Sequence, residues 1–572
     1  MTAKDEIRIG QGGEMVDKIA GYRILAESLR RAGVEVLFYL EGGPMLEAVH
    51  CAAELGIRCV DVRHEQAATM MAHGWARVTG KAGVSITSSG PGTCNAVTGV
   101  ANAQIDRIPV IAIGGSVEVT TLGRGEFQDI DQLEMMRPVA KDAVRIYATQ
   151  RIPEQIQTAF LSALSGQPGP VYVDLPADVL FREVLADSLA WPRFDLSLSR
   201  NPADPTRVKT AVELLQKARR PIVLSGTGAF FSKCGDAMNT FLETTGLCLF
   251  TTPQGRGIIP ETGPGIALTA RSRAFREADL ILVVGTRLNF VFNFGLAPRF
   301  AEDVTFIHID VDPGALAQQP FVSVRLQGDA GEVLKQLTEA LGDPSSLPNL
   351  DRGWLAGLTE EHQRKQTKTK DYQLSLSQTP IDPRRLCAEV AEILPEDAVL
   401  AVDGHVILNH ARQTIPTSRP GHRLNSGPFG CLGTGVPFGV AAKVASPDQV
   451  VMVLTGDGSF GFNAFELDTA VRHNIPIVVV ISNNGGWAAD HGGNQTGRCL
   501  GFTRYDLMFK PLGIHTEYVT NTEEIRPALK RALSSGTVAV VNVVTDPKVD
   551  VHTFPFSSYY DGTGQPINRG EG

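Results

Sequence analysis

The chain has 572 residues, 43% apolar and 20% charged, with 53 Lys and Arg against 62 Asp and Glu and a net charge of −9. That length suggests about three to four domains of roughly 150 residues, and the composition excludes disorder, collagen and coiled coil. The acidic balance and the lack of a long Lys/Arg run argue against non-specific binding to nucleic acid or to an anionic membrane surface. The eight cysteines form no CxxC pair, which fits neither a disulfide scaffold nor a cysteine zinc site. The N-terminus lacks a basic and then apolar leader, and no run of about 18 apolar residues occurs. A cytoplasmic protein with no nucleic-acid or membrane partner is expected.

Short β-branched runs alternate with helical patterns along nearly the whole chain, the pattern of parallel α/β layers. VEVLFYL reads as a strand, LEAVHCAAELG as an amphipathic helix, QAATMMAHGWARV as a second helix, and GVSITSS and PVIAIGG as further strands. This first block, residues 16–190, closes after PGPVYVDLPADVL and is followed by a polar linker, LSLSRNPADPTR. A second block, 203–345, carries RPIVLSGTG, ADLILVVGTRLNF and VTFIHIDVDP, and its pattern fades into the charged EEHQRKQTKTK. A third, 378–553, opens at IDPRRLCAEVAEIL and carries VVMVLTGDG and IPIVVVISNN. The expected fold is α/β in three domains, each a mostly parallel sheet flanked by helices. The tail 554–572 has no helix or strand period.

The chemistry concentrates between Gly456 and Asn484, where GDG and NN each follow an apolar run. Alone, each is an ordinary turn. Together they put Asp457 and Asn484 at the C-terminal ends of two strands, where open parallel sheets bind ligands. A hard divalent cation such as Mg²⁺ takes an octahedron of oxygens and keeps phosphate oxygens among its ligands. Asp457 offers a carboxylate, Asn484 an amide oxygen and Gly486 a backbone carbonyl. The glycines beside Asp457 let a diphosphate approach the backbone, and a helix from about Asn463 is expected to point its N-terminus at that anion.

GDGSFGFNAFELDTAVRHNIPIVVVISNN resembles the diphosphate-binding motif of thiamine diphosphate (ThDP) enzymes. The three blocks match the pyrimidine-binding, central and diphosphate-binding domains of the pyruvate-oxidase-like group. The resemblance implies ThDP and Mg²⁺ as cofactors, with Asp457, Asn484 and Gly486 on the metal and Gly456, Gly458 and Ser459 beside the diphosphate. RHEQAAT resembles the element whose carboxyl exchanges a proton with N1′ of the aminopyrimidine, which assigns Glu65 to that role. GPFGCLGTG resembles the segment that bends the cofactor. It makes Leu432 the wedge under both rings and the Gly430 carbonyl the acceptor for the 4′-amino group. Gln128 of FQDIDQ matches an active-site glutamine, and SSGPGTCNAVTG resembles a substrate-facing turn.

Departures narrow the choice. The histidines His50, His64 and His73 are not adjacent, unlike the pair of pyruvate decarboxylases, and FYLEGGPM offers Glu41, Gly42 and Gly43 where benzaldehyde lyase has a histidine. NNGGWAADHGGNQ lacks the Gln-Trp element of acetohydroxyacid synthases, although Trp487 lies in the same loop. VGTRLNFVFNFGLAPRF resembles 2-hydroxyacyl-CoA lyases, and NNGG with TRYDLM resembles oxalyl-CoA decarboxylases. The resemblance therefore implies cleavage of a 2-hydroxyacyl-CoA to formyl-CoA and an aldehyde or ketone. Oxalyl-CoA-type decarboxylation, or carboligation of non-CoA substrates as in acetolactate synthase or benzaldehyde lyase, stands as the alternative. Phosphates of a CoA thioester favour arginine partners, and Arg256, Arg271, Arg273 and Arg287 of the central block are candidates, as they are for ordinary surface ion pairs. Asp310 suits the ribose of an ADP, which the decarboxylases hold in this domain. The tail, with FPFSSYY and Tyr559, is expected to act as a lid over the acyl-CoA site. The family builds each site from two chains, which implies a homodimer or homotetramer.

Overall fold

The computed structural model describes residues 17–487 and 496–549, so the tail and Tyr559 lie outside the described residues. The chain forms two compact units, one up to Leu198 and the other from Ser199 onward, apart from Arg77–Gly80, which groups with the second. Among the described residues no helix is long and apolar enough to cross a membrane.

The first unit opens with β1 (Lys18–Ala20) and holds β2 (Val36–Tyr39), β3 (Arg58–Asp61), β4 (Gly83–Thr87), β5 (Val110–Ser116), β6 (Asp142–Arg145), β7 (Pro170–Pro176) and β8 (Glu183–Leu185). Six of them form a sheet in the order β3-β2-β4-β5-β7-β6, every pairing parallel, while β1 and β8 make a small antiparallel pair. The central strands β4, β5 and β7 are buried throughout, as continuous apolar runs demand when helices cover both faces. One face packs Ile24, Leu25 and Phe160, the other Val100, Met136 and Tyr172.

The second unit holds two sheets. The central one, of β9 (Pro221–Ser225), β10 (Leu249–Thr251), β11 (Leu280–Val284), β12 (Thr305–Asp310) and β13 (Val322–Gln327), runs β10-β9-β11-β12-β13 and is parallel. The third sheet has β14 (Val399–Asp403), β15 (Arg423–Leu424), β16 (Val451–Gly456), β17 (Val478–Asn483), β18 (His515–Val519) and β19 (Ala539–Val544) in the parallel order β15-β14-β16-β17-β19-β18. The three-domain α/β expectation holds, with the last two domains in one unit.

Three α-helices of this unit begin at an Asp-Pro pair. Asp204, Asp312 and Asp382 each accept a backbone N–H of the first turn, and the proline after each occupies a position whose N–H would have no partner. Two expectations are corrected here. Residues 205–207 of the supposed linker belong to the helix Pro205–Lys217. EEHQRKQTKTK is not a fading end but the middle of the helix Arg352–Ser375, which buries Trp354, Leu355 and Leu358 and ties its charges into pairs such as Glu361 with Lys365 and Arg273.

Candidate active site

In each outer sheet the connections leave two neighbouring strands in opposite directions, from β2 to β3 and from β4 to β5 in the first unit, and from β14 to β15 and from β16 to β17 in the second. Loops leaving the C-terminal ends of such strands diverge and open a crevice. Gly42 and Gly43 lie on the loop after β2, and residues 456–459 at the end of β16. Glu65, Gln128, Gly430, Leu432, Asn484, Gly486 and Trp487 follow other strands of the same two sheets, and the candidate arginines and Asp310 belong to the central domain.

In the first unit, Gly42 and Gly43 follow β2, and Ser88–Gly92 follow β4. A Cβ at Gly42 would stand 2.6 Å from the Ser88 Cβ, so only glycine permits this approach. The Ser89 amide donates to the Gly43 carbonyl at 3.3 Å. Gly90 has a φ of 58°, and a Cβ there would meet the Gln128 carbonyl oxygen at 2.6 Å. Gln128, itself left-handed at φ 64°, is held by the Ser89 hydroxyl, which donates to its Oε1 at 2.7 Å. Glu65 opens the helix Glu65–Thr79 and is 6% exposed. Its Oε2 accepts from Asn95 Nδ2 at 2.9 Å, and its Oε1 faces Gly92, where a Cβ would come to 3.2 Å. This half thus gathers a buried carboxyl, an amide that orients it, and a glutamine across a glycine turn.

In the second unit, the helix Asp457–Asn463 starts on the strand-end residue itself, six residues earlier than the sequence suggested. The G-D-G turn is short enough that Gly456 already serves as the N-cap. Asp457 is 2% exposed, and burial pushes its carboxyl up to about 7 although N–H groups of Gly458, Asn484 and Gly486 turn toward it. Its Oδ2 has no hydrogen-bond partner. Asn484 follows β17, and its Oδ1 accepts from the Gly486 amide at 3.2 Å. A buried carboxylate oxygen without a donor, beside an amide oxygen on a glycine turn, suits a hard divalent cation. Trp487 covers the turn, with its ring 2.7 Å from where a Cβ at Gly458 would be. The Leu432 loop docks on the same helix, since Asn463 Nδ2 donates to the Gly433 carbonyl at 2.7 Å. Leu432 is half-buried, and Gly430 is left-handed at φ 70°.

One wall of this crevice was missed in the sequence. Asp403 ends β14 and accepts the amides of Gly404 at 2.7 Å and Gly435 at 2.9 Å, and its burial raises the carboxyl to about 6. A Cβ at Gly404 would lie 3.2 Å from the Gly456 amide nitrogen and 3.4 Å from the Ser459 hydroxyl. The signal was present: AVDG repeats, one strand earlier, the Asp-Gly strand end of LTGDG.

Family models described as thiamine pyrophosphate enzyme match the chain three times, as the N-terminal TPP-binding domain over residues 19–135, the central domain over 208–337 and the C-terminal TPP-binding domain over 407–543. The chain belongs to the thiamine pyrophosphate enzyme family. It is 34% identical to a probable acetolactate synthase of Mycobacterium bovis, over 92% of this chain and 96% of that one. It is 31% identical to the 2-hydroxyacyl-CoA lyase 1 of Mus musculus, over 93% and 95%, and 31% identical to the oxalyl-CoA decarboxylase of Escherichia coli K12, over 92% and 95%.

The arginines of this thiamine pyrophosphate enzyme separate into two kinds. Arg256 is committed to a bidentate pair with Glu261, and Arg273 bonds Glu277 and Glu361. Arg256 Nη1 and Nη2 donate to the carbonyls of Arg412 at 3.3 Å and Ile415 at 2.9 Å, and Glu261 and Thr417 exchange bonds, amide to carbonyl at 3.1 Å and amide to carboxylate at 3.0 Å. Arg287 follows β11 and is half-buried, and Asp310 ends β12 with its Oδ1 taken by the Asp312 amide. Arg271 makes no such pair. Burial, and then the charges of Arg299 and Arg412, pull it down to about 10, and Arg412 is pulled to the same level by burial and by Arg256. The Nε atoms of Arg299 and Arg412 are buried without a hydrogen-bond partner. Arg299 and Arg412 were not foreseen, because they come from segments more than 100 positions apart.

Proposed function

We propose that this enzyme is a Mg²⁺-dependent carbon–carbon lyase that cleaves a 2-hydroxyacyl-CoA to formyl-CoA and an aldehyde or ketone. The observation that carries a CoA thioester over a free acid is the group Arg271, Arg299 and Arg412. A buried Arg271 beside the like charges of Arg299 and Arg412 is retained at a cost unless an anion joins it, and a CoA thioester brings a diphosphate and a 3′-phosphate that suit arginine forks. A free 2-oxoacid needs one cation at most.

Bound thiamine diphosphate supplies a thiazolium ring able to take up the electron pair left when the carbon–carbon bond breaks. Asp457 and Asn484 through their side-chain oxygens, and Gly486 through its carbonyl, would hold Mg²⁺ against the diphosphate, with Gly456, Gly458 and Ser459 leaving the backbone open to it. Glu65 would exchange a proton with N1′ of the aminopyrimidine, its Oε2 fixed by Asn95 and its Oε1 left open by Gly92. Leu432 would wedge the two rings into their bent form, and the Gly430 carbonyl would accept from the 4′-amino group. Gln128 would face the substrate, oriented by Ser89. The protein thereby contributes position and proton transfer rather than electron storage.

A second reading, carboligation of free 2-oxoacids, draws on the 34% identity to the mycobacterial probable acetolactate synthase. Product analysis with ThDP, Mg²⁺ and a panel of CoA thioesters beside free 2-oxoacids separates the two. Formyl-CoA with a matching aldehyde or ketone supports the lyase. Loss of CO₂ from a 2-oxoacyl-CoA assigns the decarboxylase, and turnover confined to free acids overturns both CoA readings. The same family logic expects a homodimer or homotetramer, which light scattering would read directly.

A further inference from the structure

Two asparagines of the third sheet are fully buried behind the turn that carries Asn484 and Gly486. Asn483 ends β17, and Asn542 lies in the neighbouring strand β19. Asparagine is disfavoured in strands, and its amide is costly to take out of water unless each N–H finds an acceptor. Here all four do. Asn483 Nδ2 donates to the Thr503 carbonyl at 2.9 Å and to Asn542 Oδ1 at 3.1 Å, while Asn542 Nδ2 donates to the same carbonyl at 3.0 Å and to Asp506 Oδ1 at 3.2 Å. Asp506 is fixed in turn by Arg504, at 2.9 Å and 2.6 Å, whose guanidinium lies 3.8 Å over the ring of Tyr518 on β18.

What this network holds is the turn in front of it. Asn483 Oδ1 accepts the Gly485 amide at 3.2 Å. The Gly485 carbonyl accepts the amides of Leu500 at 2.8 Å and Gly501 at 3.1 Å, and the Trp487 amide donates to the Arg498 carbonyl at 2.8 Å. Residues 498–503 are thus tied to the turn at one end and, through the Thr503 carbonyl, to the two asparagines at the other. They are exposed, so hydrogen bonds rather than packing set their course. Without Asn542, Asn483 would be free to rotate and the Thr503 carbonyl would lose a donor, so both supports of the turn would loosen together.

We propose that Asn542, acting through Asn483, is a positioning residue for the Mg²⁺ that residues 484–486 and Asp457 would hold, an inference that rests on the reading of those residues as ligands. Asn542 touches neither metal nor cofactor. Mg²⁺ demands near-ideal octahedral geometry, so a turn whose oxygens wander binds it less tightly. Groups that orient metal ligands in this way are typically worth about 10–100-fold in metal affinity.

The test is calorimetric titration of the full chain with Mg²⁺ at saturating ThDP, with no substrate present. Asn542→Leu keeps the size of the side chain and removes its bonds. Its Kd for Mg²⁺ should rise by about 10–100-fold, while saturating Mg²⁺ should still load it with ThDP as fully as the parent. Asn542→Ala serves if the leucine variant does not fold, with the same expected loss. Val541→Ala, one residue earlier in the buried core of β19, loosens the sheet by packing alone. It should melt lower and bind Mg²⁺ as the parent does. Parent-like affinity in the Asn542 variants, or an equal loss in Val541→Ala, would overturn the proposal while leaving the ligand assignment standing. Parent-like affinity in Asp457→Ala would remove the ligand assignment itself, and the role of Asn542 with it.

Discussion

Trp487 and Gly458 fit each other so closely that a Cβ at 458 would lie 2.7 Å from one ring carbon and 2.8 Å from another. The ring is also set edge-on to Phe462, with centroids 6.1 Å apart. Gly458→Ala therefore has to displace the indole from the turn that carries Asp457. We expect it to lose bound ThDP, and a second change, Trp487→Ala, to restore part of it by removing the obstacle. Bound cofactor measured after gel filtration decides this. Retention in the single variant equal to the parent would show that the turn yields easily.

Glu65→Gln keeps the size and the Asn95 contact but cannot exchange a proton. Turnover should fall by about 10²–10⁴-fold while ThDP still binds, and deuterium exchange at the thiazolium C2 followed by NMR should slow in parallel. Exchange at the parent rate would remove Glu65 from the proton path.

Asp457→Ala deletes the buried oxygen that lacks a donor. The expected result is loss of Mg²⁺-dependent ThDP retention in a protein that stays folded, read by calorimetric titration with ThDP in the presence and absence of the metal. Unchanged affinity would reject this residue as a ligand.

Arg271→Gln or Arg412→Gln should raise KM for a CoA thioester by about 10- to 100-fold, the worth of one charge-assisted hydrogen bond. Thioesters of pantetheine, which lack the nucleotide, should be handled by parent and variants alike. If both substrates suffer equally, the arginines hold the fold and not the substrate.

His308, in the inner strand β12 of the central domain's sheet, is fully buried, and burial pushes its imidazole down to about 4, as it does that of His410. The folded chain keeps both neutral where the unfolded chain takes a proton. Their contribution is complete above the ordinary histidine pKa of about 6.5 and is lost as pH falls toward 4, by on the order of 3 kcal/mol each. Asp403, raised to about 6, acts in the opposite sense, because its cost is relieved on acidification. His308→Leu isolates the first effect. Its melting midpoint should drop less between pH 7 and pH 5 than the parent's, and identical slopes would discount His308.

What the sequence disclosed follows the reach of the forces involved. The strands ending at Gly456 and Asn483, and the helix beginning at Glu65, are written in runs of neighbouring residues, so apolar period and turn composition were enough to find them. The bond from Asn95 to Glu65 spans 30 positions, and the Arg271, Arg299 and Arg412 group joins two domains. No local pattern encodes either. The helix over EEHQRKQTKTK was hidden for another reason. Its polar surface has no apolar period, and it is held by pairs with residues as distant as Arg273 and Glu392.

The exchange of bonds between Glu261 and Thr417 bears on how such chains can be recombined. A crossover in the connecting segment after Leu341 would take Arg256 and Glu261 from one parent and the carbonyls of Arg412 and Ile415 from another. Most of those contacts use main-chain atoms, so the donor sequence matters less than its path through 412–417. A graft that preserves that path, with Thr417 or any residue other than proline supplying the amide, should tolerate a foreign central domain, whereas one altered by a single insertion there should not.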